Sequence, residues 1–220
     1  METPPIKLYL ISGLGADERV FDRLGFPAGI ESIPLPWIKP FRNESLSSYA
    51  VRLGSTIDLQ HPFCLIGLSL GGIMISELVK IMNPLHAIII SSVKSEKELP
   101  AYFHIIRKLK LYKFLPVRIF KIPTIFSFWL FGIKTKDEKK LFRQILKDTD
   151  PWFLKWAITA VLNWKNPHPS KEIIHLHGTK DKIFPIGNTK PTIVIKDGSH
   201  FMVFSMANQL NIELAKILKF

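Results

Sequence analysis

A serine, an aspartate and a histidine in this 220-residue chain lie in settings that suit acyl-transfer chemistry. Ser69 is the centre of a Gly-x-Ser-x-Gly pattern that follows the apolar run FCLI. The glycines at positions 67 and 71 allow a strand to turn sharply into a helix, so that a serine hydroxyl projects from a strained turn above the sheet. An ordinary glycine-rich turn is the alternative. The strand pattern before Ser69 and the helical pattern from Leu70 to about Met82 favour a nucleophile.

A serine hydroxyl is a poor nucleophile unless a base takes its proton and a third group orients that base. Asp181, in HGTKDKIFP, follows an apolar strand pattern, and His200, in GSHFMVF, precedes the last helical pattern. The carboxyl ends of parallel strands meet at one edge of a sheet, so Ser69, Asp181 and His200 can converge there. Asp197 is the competing acid, but its place three residues before His200 is typical of a turn residue.

The remaining six histidines are weaker candidates. His175 and His177 lie within and at the end of a strand pattern, which indicates structural roles, and the other four have no motif around them. Cys64 is the one cysteine, so no Cys/His spacing indicates a metal site. We therefore expect neither a metal nor a cofactor.

The elements that must position these residues alternate between strands and helices. Strands are predicted at Ile6–Ser12, Ile30–Leu35, from Phe63 to the serine turn, His86–Val93, Glu172–Gly178 and Thr192–Ile195, and helices at Ala16–Leu24, Leu46–Leu59, Leu70–Met82 and Met202–Leu218. Near-continuous apolar strands separated by helices predict an α/β fold. Its sheet is mostly parallel, has about six strands and carries helices on both faces.

The alternation stops between about Glu96 and Trp164, where only helical patterns occur. They are predicted at Leu99–Phe114, Val117–Phe131, Asp137–Leu146 and from Asp150-Pro151 onward. We predict a core formed by residues 1–95 and 166–220, with residues 96–165 inserted as a helical cap. The net charge is +12, and residues 94–165 hold 16 Lys or Arg against 6 Asp or Glu.

Four motifs together resemble the α/β-hydrolase superfamily over essentially the whole chain: ISGLGAD, GLSLGG, HGTKD and GSH. The resemblance implies that Ser69 is the nucleophile, His200 the general base and acid, and Asp181 the group that fixes the imidazole tautomer. It also implies an oxyanion hole made by the backbone N–H groups of Leu14 and Leu70. A serine rather than an aspartate at this strand-to-helix turn is typical of ester or acyl hydrolases in the superfamily.

The chain departs from the superfamily pattern in two places. Its first strand begins near residue 6, without the antiparallel hairpin that commonly precedes it. Ser12-Gly13 stands where many members have His-Gly, which weakens the assignment of Leu14 compared with that of Leu70.

We expect a serine hydrolase that cleaves a carboxylic ester or thioester of a small to medium apolar substrate through an acyl-enzyme. Lactone or carbon–carbon bond cleavage also occurs with such a triad in the superfamily. The alternatives are a receptor-like protein that only binds a ligand, and a peripheral membrane lipase. Trp152 and Trp156 are predicted to line the substrate pocket, although aromatic residues at helical spacing more often belong to a core.

The basic helical segment has three interpretations: a solvated cap over the pocket, a contact with an anionic membrane surface, or attraction of acidic substrates. The membrane interpretation rests on aromatic and aliphatic residues interleaved with cations, among them Phe114, Ile119, Phe120, Ile122, Ile125, Phe126, Phe128, Trp129 and Phe131. A nucleic-acid partner is not expected, because no recognition motif accompanies the charge.

We expect a cytoplasmic protein. One cysteine permits no internal disulfide, and the start METPPIKLYLIS lacks the pattern of a signal peptide. The longest strongly apolar run without charges, Ile122–Ile133, falls short of the roughly 20 residues that span a bilayer.

Overall fold

A computed structural model describes residues 5–110, 112, 116 and 121–219 of the chain. Within this part, six strands form one sheet in the order β2-β1-β3-β4-β5-β6, and every neighbouring pair is parallel. The strands are β1 (Ile6–Ile11), β2 (Ile30–Pro34), β3 (Phe63–Leu68), β4 (His86–Ile90), β5 (Ile173–Gly178) and β6 (Ile193–Ile195). The predicted sheet is confirmed, and it is entirely parallel.

The strands are covered on both faces because their side chains alternate between two apolar clusters. Tyr9 and Leu65 belong to the first cluster, and their chain neighbours Leu10 and Ile66 to the second. Every residue of β3 is buried. Cys64 is packed in this strand, where burial raises the pKa of its thiol to about 11, so the cysteine acts as an apolar core residue.

Eight α-helices are described in this part of the chain, and polar side chains cap several of them. They are α1 (Leu46–Gly54), α2 (Leu70–Leu78), α3 (Ala101–Leu109), α4 (Ile125–Phe131), α5 (Lys136–Asp148), α6 (Pro151–Asn163), α7 (Met202–Ser205) and α8 (Ala207–Ile217). The Thr124 and Thr135 hydroxyls accept N–H groups of the first turns of α4 and α5, and Asp150 does so for α6.

Two predicted helices differ most from the observed elements. Residues Ala16–Leu24 contain only a short 3-10 helix at Glu18–Phe21, since Ala16 belongs to the loop after β1 and its carbonyl accepts the Ser12 hydroxyl. The predicted helix Met202–Leu218 is split into α7 and α8, because Met206 leaves helical geometry with φ −128° and ψ 32°.

The segment between β4 and β5 holds α3 to α6. Phe142 and Ile145 of α5 pack in one core cluster, and Phe153 and Ala157 of α6 pack in the other. The helical insertion therefore shares apolar packing with the sheet, and the domain boundaries at 95/96 and 165/166 stay a prediction.

The predicted helix Leu99–Phe114 is observed as the shorter α3, and the predicted helix Val117–Phe131 begins only at Ile125, since residues 121–124 are not α-helical. Both predicted helices extend partly outside the described residues, and Phe114, Ile119 and Phe120 lie outside them. In the described part of the chain, no helix combines the length and apolar character that crossing a bilayer requires.

Candidate active site

Ser69 lies at the sharp turn between β3 and α2, with φ 50° and ψ −111°. Positive φ is costly for a residue with a Cβ, so surrounding contacts must enforce it. A Cβ on Gly71 would collide with the Ile11 carbonyl, and a Cβ on Gly67 would collide with the Gly71 backbone. Both glycines of the motif are therefore required by close approach of backbone to backbone.

Hydrogen bonds fix the turn on both sides of Ser69. Its N–H donates to the Ile90 carbonyl at 2.9 Å. Its carbonyl accepts the Ser92 hydroxyl at 2.6 Å and the N–H of Ile73 at 3.2 Å. The serine is thus held by β4 as well as by its own helix, and its side chain is half-buried.

The structure brings Ser69, His200 and Asp181 together in one hydrogen-bonded chain. His200 Nε2 lies 3.0 Å from Ser69 Oγ, and His200 Nδ1 lies 2.8 Å from Asp181 Oδ2. His200 and Asp181 are each only 4% exposed. His200 Nδ1–H donates a hydrogen bond to the Asp181 carboxylate, so the Nε2 lone pair faces the serine hydroxyl. This is the geometry that removes a proton from a nucleophilic serine.

Asp181 is held independently of His200. Its Oδ1 accepts the N–H groups of Ile183 and Phe184, both at 2.9 Å. Burial by itself raises the pKa of this carboxyl, but His200 and the Phe184 N–H outweigh it, so the pKa is lowered. The carboxylate is therefore ionised at neutral pH. Asp197 is exposed and pairs with Lys180 at 2.7 Å, which leaves it outside the chain of hydrogen bonds.

A buried histidine pair supports the turn that carries Asp181. His177 Nε2 lies 2.7 Å from the Phe184 carbonyl, so this nitrogen carries the proton and donates it. His177 Nδ1 must then accept, and it takes the Nε2–H of His175 at 3.0 Å. Burial lowers the pKa of both imidazoles, that of His175 to about 2. Both rings are therefore neutral, with tautomers set by one carbonyl.

His177 Nε2 also lies 3.8 Å from Asp181 Oδ2. Both histidines thus have a structural role, because they support the loop that carries the carboxylate next to His200. In the residues that the structure describes, no group of three or more His, Cys, Asp or Glu side chains is arranged to hold a metal ion.

The loop after β1 lies directly beside Ser69. A Cβ built on Gly13 would lie 3.4 Å from the Ser69 Cβ. The loop is tied to the end of α5 by the Thr149 hydroxyl, which donates to the Gly15 carbonyl at 3.0 Å. No acceptor among the described residues takes the N–H of Leu14 or of Leu70. Two unused N–H groups next to the serine suit an oxyanion, and their role stays a prediction.

Two phenylalanines that the sequence analysis did not assign to the active site form walls around His200. The rings of Phe131 and Phe184 lie 5.4 Å and 5.6 Å from the imidazole, both edge-on. Phe184 lies in the same HGTKDKIFP loop as Asp181, and this proximity was the available signal. Phe131 comes from the distant helix α4, and nothing in its local sequence indicates this contact.

Trp152 and Trp156 lie in a groove of about 840 Å³ between α6 and residues 41–47. None of Ser69, Asp181 and His200 is among the groove's lining residues. Trp156 is buried, and its ring lies 4.3 Å from that of Tyr49. Its indole N–H donates to the Glu44 carbonyl at 2.9 Å. The structure therefore does not join these tryptophans to the serine, and their substrate role stays a prediction.

No protein-family model matches the chain, and no curated protein sequence matches it. Several solved structures do match the chain. MenH from S. aureus is similar with a TM-score of 0.71 and 16% identity, covering 100% of this chain and 95% of that one. A bromoperoxidase from Bacillus anthracis has a TM-score of 0.70 and 15% identity, covering 98% and 92%. An esterase from Exiguobacterium antarcticum has a TM-score of 0.64 and 13% identity, covering 100% and 94%.

At these identities the likeness concerns the fold. The matched structures are α/β-hydrolases and include esterases. The chain therefore has the α/β-hydrolase fold.

Proposed function

We propose that this chain is a serine hydrolase that cleaves a carboxylic ester or thioester through an acyl-enzyme. The observation that carries the proposal is the chain of hydrogen bonds from Ser69 through His200 to Asp181. Ser69, Asp181 and His200 also follow one another along the sequence in the order nucleophile, acid, base, which is typical of this fold. The similarity to esterases supports the same chemistry.

The first half of the reaction forms the acyl-enzyme. Ser69 Oγ attacks the substrate carbonyl carbon while His200 Nε2 takes the hydroxyl proton, and the carbonyl electron pair moves to the oxygen. The Leu14 and Leu70 N–H groups donate to that oxyanion, and the Asp181 carboxylate stabilises the imidazolium. When the intermediate collapses, His200 gives its proton to the departing alcohol or thiol and the ester bond breaks.

The second half regenerates the serine. Water attacks the acyl carbonyl carbon as His200 takes one of its protons, and a second oxyanion forms at the same N–H groups. Collapse breaks the bond to Ser69 Oγ, which regains its proton from His200, and the carboxylic acid is released.

The surroundings of His200 favour an apolar acyl group. The rings of Phe131 and Phe184 lie edge-on to the imidazole. These walls suit the small to medium apolar substrate that we propose. Trp152 and Trp156 stay candidates for contacts with a more distant part of it.

Hydrolysis of p-nitrophenyl esters of increasing acyl length, together with the matching thioesters, tests the proposal. We expect turnover that depends on acyl length and is lost in Ser69→Ala. A folded chain that binds apolar acyl compounds but turns over none of these substrates would contradict the proposal and favour a ligand-binding protein.

A further inference from the structure

Six large apolar side chains on or beside two helices of the insertion point into water. Ile125 is 88% exposed, Phe126 66%, Ile122 57% and Trp129 56%. On α3, Ile105 and Leu109 are exposed to a similar degree. We call these six residues the rim patch. Single exposed apolar residues are common, but six of them on or beside two helices that both bond to the loop after β5 indicate a surface that contacts something apolar.

Both helices of the rim patch are anchored to the turn that holds Asp181. The Tyr102 hydroxyl, at the start of α3, donates to the Ile183 carbonyl at 2.6 Å. The Lys182 ammonium donates to the Trp129 carbonyl of α4 at 3.0 Å. The rim patch is therefore attached next to the catalytic carboxylate, at the same edge of the sheet.

Helix α4 joins the rim patch to the site directly. Its exposed side carries Ile125, Phe126 and Trp129, whereas Phe131 at its end packs against His200. The Phe131 carbonyl also accepts the N–H of Phe201, next to the histidine, at 3.1 Å. A partner that contacts the exposed side of α4 is therefore separated from His200 only by this seven-residue helix.

The sequence segment that carries the rim patch has charges of one sign. Residues 101–136 contain eight Lys or Arg and neither Asp nor Glu. The Lys182 ammonium lies 3.8 Å from the centre of the Trp129 ring, and that ring stacks on Phe126 at 5.8 Å. Exposed indole and aliphatic groups beside lysine and arginine are the composition of helices that lie in the interface of an anionic bilayer.

We propose that the rim patch docks on an anionic lipid bilayer, with its apolar side chains in the boundary between headgroups and acyl chains. The neighbouring Lys and Arg then contact lipid phosphates. A second copy of this chain is a poor occupant, because it would bring two surfaces of the same charge together. An acidic protein would satisfy the cations but gives no reason for Ile125 to be so exposed.

This surface goes beyond the proposed reaction, since it states where the chain works. That the bilayer also supplies the acyl substrate rests on the proposed function. Docking itself does not, so it is measured in the Ser69→Ala variant, where failure of catalysis has no effect on the result.

Co-sedimentation with vesicles tests the docking surface. Ser69→Ala protein is mixed with vesicles of phosphatidylcholine alone or of phosphatidylcholine with phosphatidylglycerol. We expect binding to the anionic vesicles only, with a blue shift of tryptophan fluorescence, and release at about 1 M salt, where the Debye length is about 3 Å.

Two matched pairs of variants locate the surface. Ile125→Glu should lower partitioning by about tenfold or more, because a carboxylate enters the apolar side of the contact. Ile212→Glu, at an exposed isoleucine of α8, should leave it unchanged. Lys108→Gln with Lys110→Gln should lower partitioning by about 30-fold, whereas Lys171→Gln with Lys219→Gln should have little effect.

Three results would overturn the proposal. One is equal binding to neutral and anionic vesicles, or none to either. Another is Ile125→Glu protein that binds as tightly as its parent. The third is binding to an acidic protein without any binding to anionic vesicles, which would assign the rim patch to a protein partner.

Discussion

The turn around Ser69 and the rim patch expose their side chains in opposite ways. At the turn, glycines touch backbone, the serine N–H and carbonyl are hydrogen-bonded, and the histidine and aspartate are buried. At the rim patch, isoleucine and tryptophan face water. A fixed constellation suits chemistry because its dipoles need no reorganisation during the reaction. An apolar surface left in water suits recognition, and under the two proposals the first region carries out the reaction and the second sets its location.

The largest effect is expected at the serine. Ser69→Ala should lower kcat by about a millionfold, because it removes the attacking oxygen. Unfolding temperature should change little, since the turn is held by backbone bonds that do not use the hydroxyl. Ester hydrolysis and thermal unfolding measure both, with the exposed Ser48→Ala as control. Substantial activity in Ser69→Ala would place the nucleophile elsewhere.

The aspartate should come next. Asp181→Asn should lower kcat by about 10⁴, because the amide NH₂ donates to His200 Nδ1 and stabilises the wrong tautomer. Oδ1 can still accept the Ile183 and Phe184 N–H groups, so the loop should keep its shape. Asp197→Asn is the matched control and should retain activity. If these two results were exchanged, the acid would be Asp197.

A glycine pair tests how tightly the turn is packed. Gly71→Ala should destabilise the fold by about 3 kcal/mol, because the new Cβ meets the carbonyls of Ile11 and Ser12. Gly187→Ala adds the same methyl group where nothing lies within 4 Å, and it should be nearly neutral. Denaturant unfolding of both variants gives the difference. Equal stability of the two variants would show that the turn can relax.

The buried histidine pair should make stability depend on pH. The pKa of His175 and of His177 is lowered in the fold, so below about pH 6.5 the unfolded chain binds protons that the native chain does not. Stability should therefore fall with falling pH, by up to about 1.4 kcal/mol per pH unit for each histidine.

Asp181 contributes in the same direction only at lower pH, where its lowered pKa makes the carboxylate harder to protonate in the fold. Denaturant unfolding between about pH 6.5 and pH 5.5 reports mainly the histidines, because the carboxylates of the unfolded chain are still ionised there. His175→Gln should flatten this slope, and the exposed His168→Gln should not. An unchanged slope in His175→Gln would show that this imidazole does titrate in the fold.

The smallest effect on stability is expected at the rim patch. Ile125→Ser should change the free energy of unfolding by no more than about 0.5 kcal/mol, because the side chain has little packing to lose. Chemical denaturation measures it beside Gly71→Ala. A loss as large as that of the glycine variant would mean that Ile125 supports the fold, and the contrast between the two regions would fail.

The strands of the sheet and the position of the serine could be predicted from the sequence, because the patterns that indicate them are local. The apolar run before Ser69 predicts β3, and the paired glycines predict the turn, which close backbone contacts require. Asp181 and His200 could also be chosen from their loops, because parallel strands end at one edge of the sheet.

Contacts between distant segments could not be predicted in the same way. Phe131 reaches His200 only because α4 ends against the loop of residues 199–201, and its sequence neighbours give no sign of this. Trp156 is buried against Tyr49 of another segment, a contact that its helical spacing does not indicate. Met206 breaks the last helix through its backbone angles rather than through a proline or glycine. Tertiary packing decides each of these outcomes.

The most direct test of the proposed chemistry is labelling of the native chain with a fluorophosphonate, followed by peptide mass spectrometry. We expect one adduct, on Ser69 Oγ, that forms rapidly in the parent protein and is absent in His200→Ala. Folded protein that takes no label, or that carries it on another residue, would contradict the proposal that Ser69 is a nucleophile activated by His200.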